Sequence, residues 1–198
     1  MADYKTIHGV NLRDYTTDPD TLIEGQVWYD KTNKVVQYFF NSVTTAGAWR
    51  TGNSLNEART QLSGAGTQTQ AIAIAGYNDS NSNTAKTESY DGVSWTEVND
   101  VNTARRDGAA NGTYTSALTY GGNNEATETE SWNGTSWTEV NDLNTGRRSV
   151  GGAGADNTSA LAFAGDPTTA NTETWNGSSW TEVNNLNQAR SRVGGFGT

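Results

Sequence analysis

Short runs that alternate between polar and larger side chains recur along the chain, with glycine-containing turns between them. Thr127–Trp132 alternates in this way, Asn133-Gly134 follows it, and Ser136–Asn141 continues the pattern. Alternation with a period of two is typical of a half-exposed β-strand, and Asn-Gly between two such runs indicates a type I′ hairpin, whose two central residues need a positive φ. The turn recurs at Asp91-Gly92 and Asn176-Gly177. No segment has sustained helical periodicity, so the pattern predicts an all-β chain.

A repeat with a period in the low forties organises these predicted strands. The sequence Ser-Trp-Thr-Glu-Val-Asn occurs three times after one degenerate copy, and the tryptophans of the four copies are Trp49, Trp95, Trp137 and Trp180. An arginine follows each copy, at Arg59, Arg105, Arg147 and Arg190. A period of this length is typical of one four-stranded blade, so the repeat predicts a β-propeller.

The count of strands by type predicts four blades that close through the two chain ends. Inner strands of small residues are predicted at Gln61–Thr67, Asp107–Thr113, Ser149–Ala155 and Arg192–Thr198, whereas apolar second strands follow only the first three. Gly25–Asp30 supplies the missing second strand, and Val35–Phe40 and Ala48–Thr51 supply the third and fourth. We therefore expect Arg192–Thr198 to hydrogen-bond beside Gly25–Asp30, a "velcro" closure that removes free sheet edges. The glycine and alanine of the inner strands favour a narrow ring.

Residues 1–24 lie outside the blade pattern, which predicts an N-terminal arm followed by a propeller over residues 25–198. The arm carries apolar and aromatic side chains in a polar setting, among them Tyr4, Ile7, Leu12 and Tyr15. We interpret these as an anchor that docks on a neighbouring subunit, and a strap over the propeller's own face is the alternative. Exchange of Arg192–Thr198 between chains could instead make a homo-oligomer.

Composition and charge narrow the range of functions. The chain has 198 residues, a formal net charge of −9, one histidine and no cysteine. An acidic surface repels phosphate backbones, which argues against nucleic-acid binding, and no apolar run approaches the roughly 20 residues that span a bilayer.

With His8 as the sole histidine, Ser–His or Cys–His catalysis and transition-metal sites are all but excluded, so we expect neither an enzyme nor a cofactor. The first residues lack the apolar segment of a secretory signal, which predicts synthesis in a cytoplasm.

The repeated side chains have structural interpretations. The arginines are expected to satisfy backbone carbonyls between blades, since five donors suit that task, and the tryptophans to pack between blades and not to stack on sugars. Asp79-x-Asn81-x-Asn83 resembles part of a calcium loop, but Thr84 stands where that loop needs glycine, so a solvated turn is expected. Glutamates of the repeated motif are interpreted as solvated positions: Glu97, Glu139 and Glu182.

The repeat units resemble kelch repeats. They share an apolar strand that ends in Tyr120-Gly121-Gly122, an aromatic residue before a turn, a tryptophan after it and an arginine beyond, and the resemblance covers Trp49–Thr198. The whole chain resembles kelch-like virion proteins of tailed bacteriophages, particularly those of marine cyanobacteria and similar hosts, through Lys5–Gly9, Asp18-Pro19, Gly25–Asp30 and Gly64–Thr69. This resemblance implies a virion component (capsid decoration, tail accessory or fibre-associated protein) that contacts other virion proteins and leaves the cell by lysis. A carbohydrate-binding module for host-surface glycans is the alternative, and a hydrolase is a third hypothesis.

Overall fold

The computed structural model describes residues 6–7, 10–11, 13–16, 19, 26–38 and 52–197, and every regular element in that part of the chain is a β-strand. The strands form separate sheets, most of them antiparallel throughout. The coarse prediction of an all-β chain built from separate sheets is confirmed. The chain divides into two compact units, Met1–Arg50 and Thr51–Thr198.

The first unit contains five described strands. They are β1 Thr6–Ile7, β2 Val10–Asn11, β3 Arg13–Tyr15, β4 Val27–Asp30 and β5 Val35–Tyr38. β1 and β2 form an antiparallel pair, whereas β4 lies between β3, which runs parallel to it, and β5, which runs antiparallel. Asp30 ends β4 and its carboxylate accepts hydrogen bonds from the backbone N–H groups of Thr32 and Asn33, which fixes the turn into β5.

The pairing of β4 corrects one expectation about the chain ends. Arg192–Thr198 was expected beside Gly25–Asp30, but both edges of Val27–Asp30 are already hydrogen-bonded, to β3 on one side and to β5 on the other. The described residues therefore do not form the velcro closure as predicted. The boundary after residue 24 between an arm and a propeller stays a prediction, and β3, from within residues 1–24, pairs with β4. Ala48–Thr51 lies outside the described residues.

The second unit contains three repeat sheets. The first is β6 Arg59–Thr60, β7 Ser63–Gly66, β8 Ala71–Asn78, β9 Asn83–Tyr90 and β10 Trp95–Val98. The second is β11 Ala109–Thr113, β12 Ser116–Tyr120, β13 Thr129–Trp132 and β14 Trp137–Val140. The third is β15 Gly151–Asp156, β16 Ser159–Phe163, β17 Thr172–Trp175 and β18 Trp180–Val183. Within each sheet the strands follow chain order, except that β6 and β7 both pair with β8. The boundaries match the strands predicted from the repeat to within a few residues.

The predicted hairpin turns lie in the expected places, but their geometry differs from type I′. Trp132 pairs with Trp137, so four residues form the loop instead of two. Gly134 has a φ of +92°, and Asn133 is not in the left-handed region. The side-chain oxygen of Asn133 instead accepts the backbone N–H groups of Thr135 and Ser136. An Asx turn thus replaces the second left-handed residue that a type I′ turn requires.

Backbone hydrogen bonds link the start of each inner strand to the next along the series. The N–H of Asp107 donates to the carbonyl of Gln61, that of Ser149 to Asp107, and that of Arg192 to Ser149, at 2.7–3.2 Å. All four residues have φ between +52° and +58°. A left-handed non-glycine residue costs about 1–2 kcal/mol, so this shared conformation is maintained by the bonds between modules.

The inner segments surround one cavity of about 380 Å³. Its lining comes from β7, β11, β15 and residues 195–197, which are mostly glycine and alanine. Residues 192–197 are not a strand, yet they lie along β15, because the N–H of Gly154 donates to the carbonyl of Gly197 at 3.0 Å. Four inner segments are therefore present beside only three complete repeat sheets.

Gly195 provides a test of how the C-terminal segment packs. An added Cβ there would lie 2.1 Å from the backbone oxygen of Gly152, whereas a Cβ at Gly194 would meet nothing within 4 Å. We expect Gly195→Ala to lower the free energy of unfolding by about 1–3 kcal/mol, because a backbone atom has to move. Gly194→Ala is the matched control and is expected to change it by less than about 0.5 kcal/mol. Urea unfolding of both variants measures the difference, and equal effects would contradict this packing.

The hydrophobic core lies between neighbouring sheets. Between the first and second sheets, Ile72 and Ile74 of β8 cluster with Trp132 and Trp137. Between the second and third sheets, the corresponding cluster contains Leu118, Tyr120, Trp175 and Trp180. Each module thus covers its neighbour with two aromatic side chains, and full burial of each large apolar side chain contributes about 1.5–3 kcal/mol.

Candidate functional site

Three of the four repeated arginines are buried against glutamates that the sequence analysis did not single out. The pairs are Arg59–Glu88 at 2.7 Å, Arg105–Glu130 at 2.6 Å and Arg147–Glu173 at 3.0 Å. The side chains of all six residues are at most 4% exposed. An asparagine three residues before each arginine completes the arrangement, and we call the three sets the Arg–Glu–Asn clusters.

In each cluster, hydrogen-bond donors surround the carboxylate of the glutamate. In the second cluster, one oxygen of Glu130 accepts from the guanidinium of Arg105, and the other accepts from both the backbone N–H and the side-chain amide of Asn102, at 2.7 and 2.9 Å. Asn56 and Asn144 bind Glu88 and Glu173 in the same way. A buried carboxylate is tolerated only when its charge and its lone pairs are satisfied, as they are here.

The second and third clusters join the loop after one sheet to the third strand of the next, whereas Arg59 and Glu88 lie in β6 and β9 of the same sheet. Arg105 lies in the loop between β10 and β11, whereas Glu130 lies in β13. Arg105 also donates to the backbone carbonyl of Glu128 at 2.7 Å and to that of Gly121 at 3.4 Å. The arginine therefore bonds to backbone carbonyls, as the sequence predicts, and to a buried carboxylate, which it does not predict.

Within the clusters, burial and pairing with the opposite charge shift the pKa values of the glutamate and the arginine in opposite directions. Burial raises the pKa of Glu88, but the backbone N–H of Asn56 and the charge of Arg59 together outweigh it, so this pKa lies below its usual value. For Arg147, burial lowers the pKa and the charge of Glu173 opposes the change.

The fourth copy of the donor set differs from the other three. Arg190 and Asn187 occupy the positions of the cluster arginine and asparagine, yet both are exposed. Among the described residues, neither has a carboxylate partner. The side chain of Arg190 donates a hydrogen bond to the nearby carbonyl of Gln188, at 3.4 Å.

The repeated tryptophans occupy different environments despite their shared register. Trp137 and Trp180 are buried, whereas Trp95 is half-buried and Trp49 lies outside the described residues. The Nε1 of Trp180 donates to Thr129 at 3.0 Å. Trp137 and Trp180 thus belong to the contacts between sheets and present no face for stacking on a sugar.

The predicted anchor residues are described only in part. Tyr4, Leu12 and the lone histidine, His8, lie outside the described residues. Ile7 is in β1, where its backbone pairs with Val10, and Tyr15 is half-buried in β3, opposite Asp30.

The remaining candidate residues are exposed or hydrogen-bonded to neighbouring loops. Glu97, Glu139 and Glu182 are exposed. Asn83, from the calcium-like run, bonds to Asn123 and to Arg106, and the guanidinium of Arg106 lies 4.3 Å from the ring centre of Tyr77. Within the described ranges, no three His, Cys, Asp or Glu side chains are grouped to hold a metal ion. No helix long and apolar enough to cross a membrane occurs in the same ranges.

The second and third Arg–Glu–Asn clusters therefore hold successive sheets together, and the first joins two strands of one sheet. No family model matches the chain, and no curated protein matches it.

The glutamates of the Arg–Glu–Asn clusters do have a signal in the sequence. The run Thr-Glu-Ser/Thr-Tyr/Trp recurs with nearly the same period as the arginines, at Thr87–Tyr90, Thr129–Trp132 and Thr172–Trp175.

Proposed function

We propose that this chain is a non-enzymatic structural component of a bacteriophage particle, built as a kelch-like four-bladed β-propeller that makes protein–protein contacts. The observation that carries the proposal is the use of the repeated charged groups. In three modules the arginine and glutamate are buried in Arg–Glu–Asn clusters, two of which join one sheet to the next, and their chemistry maintains the fold. A repeat that maintains a rigid body fits a display or scaffold role.

Two further features support the proposal. Four inner segments line one cavity, as the innermost strands of a four-bladed propeller would. The resemblance of the chain to kelch-like virion proteins supplies the location, which is the particle, with other virion proteins as partners.

The first experiment measures whether particles contain the chain. Mass spectrometry of purified particles is expected to find it in a fixed ratio to the major capsid protein. Its absence from particles that are otherwise complete would overturn the proposed location.

The second experiment tests the N-terminal arm. Deletion of residues 1–24 is expected to abolish incorporation, but it also removes β3, which pairs with β4. A second variant, Tyr4→Ser with Leu12→Ser, changes two predicted anchor side chains outside the described strands and is expected to reduce incorporation at least about tenfold, since each buried apolar side chain contributes about 1.5–3 kcal/mol. Normal incorporation of both variants would show that the arm is not the anchor.

A further inference from the structure

The outer hairpin turns of the three repeat sheets hold one side-chain oxygen in the same way. In the second sheet, Oδ1 of Asn133 accepts the backbone N–H groups of Thr135 and Ser136, both at 2.9 Å. Asn176 of the third sheet makes the same two bonds at the same distance. In the first sheet the position is Asp91, whose Oδ1 accepts the corresponding N–H groups at 2.8 and 2.7 Å. One turn geometry therefore holds an amide in two modules and a carboxylate in the other.

A glycine follows each of these residues, and the turn requires it. Gly92, Gly134 and Gly177 have φ of +95°, +92° and +90°, a conformation that is strained for any residue with a Cβ. With no side chain beside it, the peptide nitrogen of a glycine is the least shielded of any residue. Among the described residues, the N–H groups of Gly134 and Gly177 have no hydrogen-bond acceptor. The fold thus places an unshielded peptide nitrogen directly after each asparagine.

An asparagine side chain reacts with the peptide nitrogen that follows it when the two groups meet. The nitrogen of Gly134 loses its proton and forms a bond to Cγ of Asn133, and the bond from Cγ to Nδ2 breaks. Ammonia leaves with that proton, and a five-membered succinimide ring remains. Water then opens the ring at Cγ to give aspartate, or at the backbone carbonyl carbon to give isoaspartate. Water is the only co-reactant.

The turn geometry favours the first of these steps. Negative charge develops on Oδ1 of Asn133 as the nitrogen adds to Cγ, and two backbone N–H groups already point at that oxygen. Preorganised donors at a developing oxyanion stabilise the transition state. Because the two donors lie two and three residues further along the chain, the side chain folds back over the peptide bond that contains the nucleophile.

We propose that Asn133 and Asn176 are sites of spontaneous deamidation, which converts their turns to the state that Asp91 already has in the first module. The product fits, since Asp91 forms the same hydrogen bonds there. The backbone N–H groups of Ser94 and Val93 hold the pKa of Asp91 below its usual value, so the carboxylate is charged at neutral pH. A carboxylate is a poor target for a peptide nitrogen, so the conversion stops there. The inference concerns the turns alone and goes beyond the proposed function.

The third Asn-Gly pair in the sequence provides an internal control. Asn111 lies within β11 and is 5% exposed, and Gly112 follows it in the same strand. Its Nδ2, the leaving group, donates to the backbone carbonyl of Asp156 at 3.0 Å, and its Oδ1 accepts no hydrogen bond from a described residue. Asn111 therefore lacks the oxyanion donors of the turns, and burial keeps water from it. We expect its amide to persist.

The experiment follows the three asparagines of the purified full chain during incubation at mildly alkaline pH. Peptide mapping by mass spectrometry, with electron-transfer fragmentation to separate aspartate from isoaspartate, measures the acid formed at each position. Conversion at Asn133 and Asn176 is expected to be at least about tenfold faster than at Asn111, since loss of even one oxyanion donor costs at least that factor. A sample digested without incubation corrects for conversion during digestion. Intact amides at both turns, or equal rates at all three positions, would overturn the proposal.

Two sets of variants separate the chemistry from the fit of the product. Asn133→Gln needs a six-membered ring and is expected to stop conversion at that position while Asn176 continues to react. Asn133→Asp is expected to leave the midpoint of urea unfolding unchanged, whereas Asn111→Asp should lower it, because a buried donor is replaced by a charge. Equal losses for both aspartate variants would show that the turn does not accept the product. Every measurement uses the purified chain, so the result is independent of whether the chain belongs to a particle.

Discussion

Replacing Arg147 by Met is expected to lower the free energy of unfolding by about 3–5 kcal/mol. The guanidinium lies 3.0 Å from Glu173, and both side chains are at most 2% exposed. Without Arg147, a buried carboxylate would keep its cost of desolvation and lose its cation. Denaturant unfolding, with the slope checked for two-state behaviour, measures the change.

The repeat provides a control for this prediction. Arg190 occupies the same position in the sequence motif but is exposed, so Arg190→Met is expected to change the free energy of unfolding by less than about 0.5 kcal/mol. A double variant with Glu173→Met also removes the stranded charge and is expected to be more stable than Arg147→Met alone. Equal costs for Arg147→Met and Arg190→Met would show that the buried pair does not join the sheets as described.

Trp137→Ala is expected to lower the free energy of unfolding by about 3–5 kcal/mol. The ring is 6% exposed and belongs to the cluster between the first and second sheets. Its loss would leave a cavity between two modules that repacking of strands cannot readily fill. Thermal and denaturant unfolding both report the change.

Trp95→Ala is the matched control because Trp95 starts the equivalent strand. Both rings lie close to an aromatic neighbour, Trp132 at 5.2 Å for Trp137 and Tyr90 at 5.0 Å for Trp95. Trp95 is half-buried, whereas Trp137 is 6% exposed. We therefore expect Trp95→Ala to lower the free energy of unfolding by about half as much as Trp137→Ala does. If Trp95→Ala proves as costly as Trp137→Ala, the face of the first sheet is covered after all.

The two controls concern the same property of the repeat. Tyr90, Trp95, Leu161 and Arg190 are all less buried than their counterparts in the other modules. Modules of a repeat are stabilised by their contacts with neighbouring modules, so equal residues contribute unequally when those contacts differ.

Local sequence patterns determined the all-β class, the period and the place of each strand in the three repeat sheets. Alternation such as that of Thr127–Trp132 depends on neighbouring residues only, so it is visible without tertiary information. Local pattern did not determine the turn geometry at Asn133-Gly134, because the Asx hydrogen bonds of Asn133 allow a four-residue loop in place of a two-residue one.

Only the tertiary structure decided which copies of one motif are buried. Arg147 and Arg190 have nearly the same local sequence, as do Trp137 and Trp95, yet one of each pair is covered and the other is not. It also decided that β3 and not Arg192–Thr198 occupies the second edge of β4. The physical reason is common to these cases, because burial and strand pairing depend on which distant segment packs against an edge or a face, and local pattern carries no information about that.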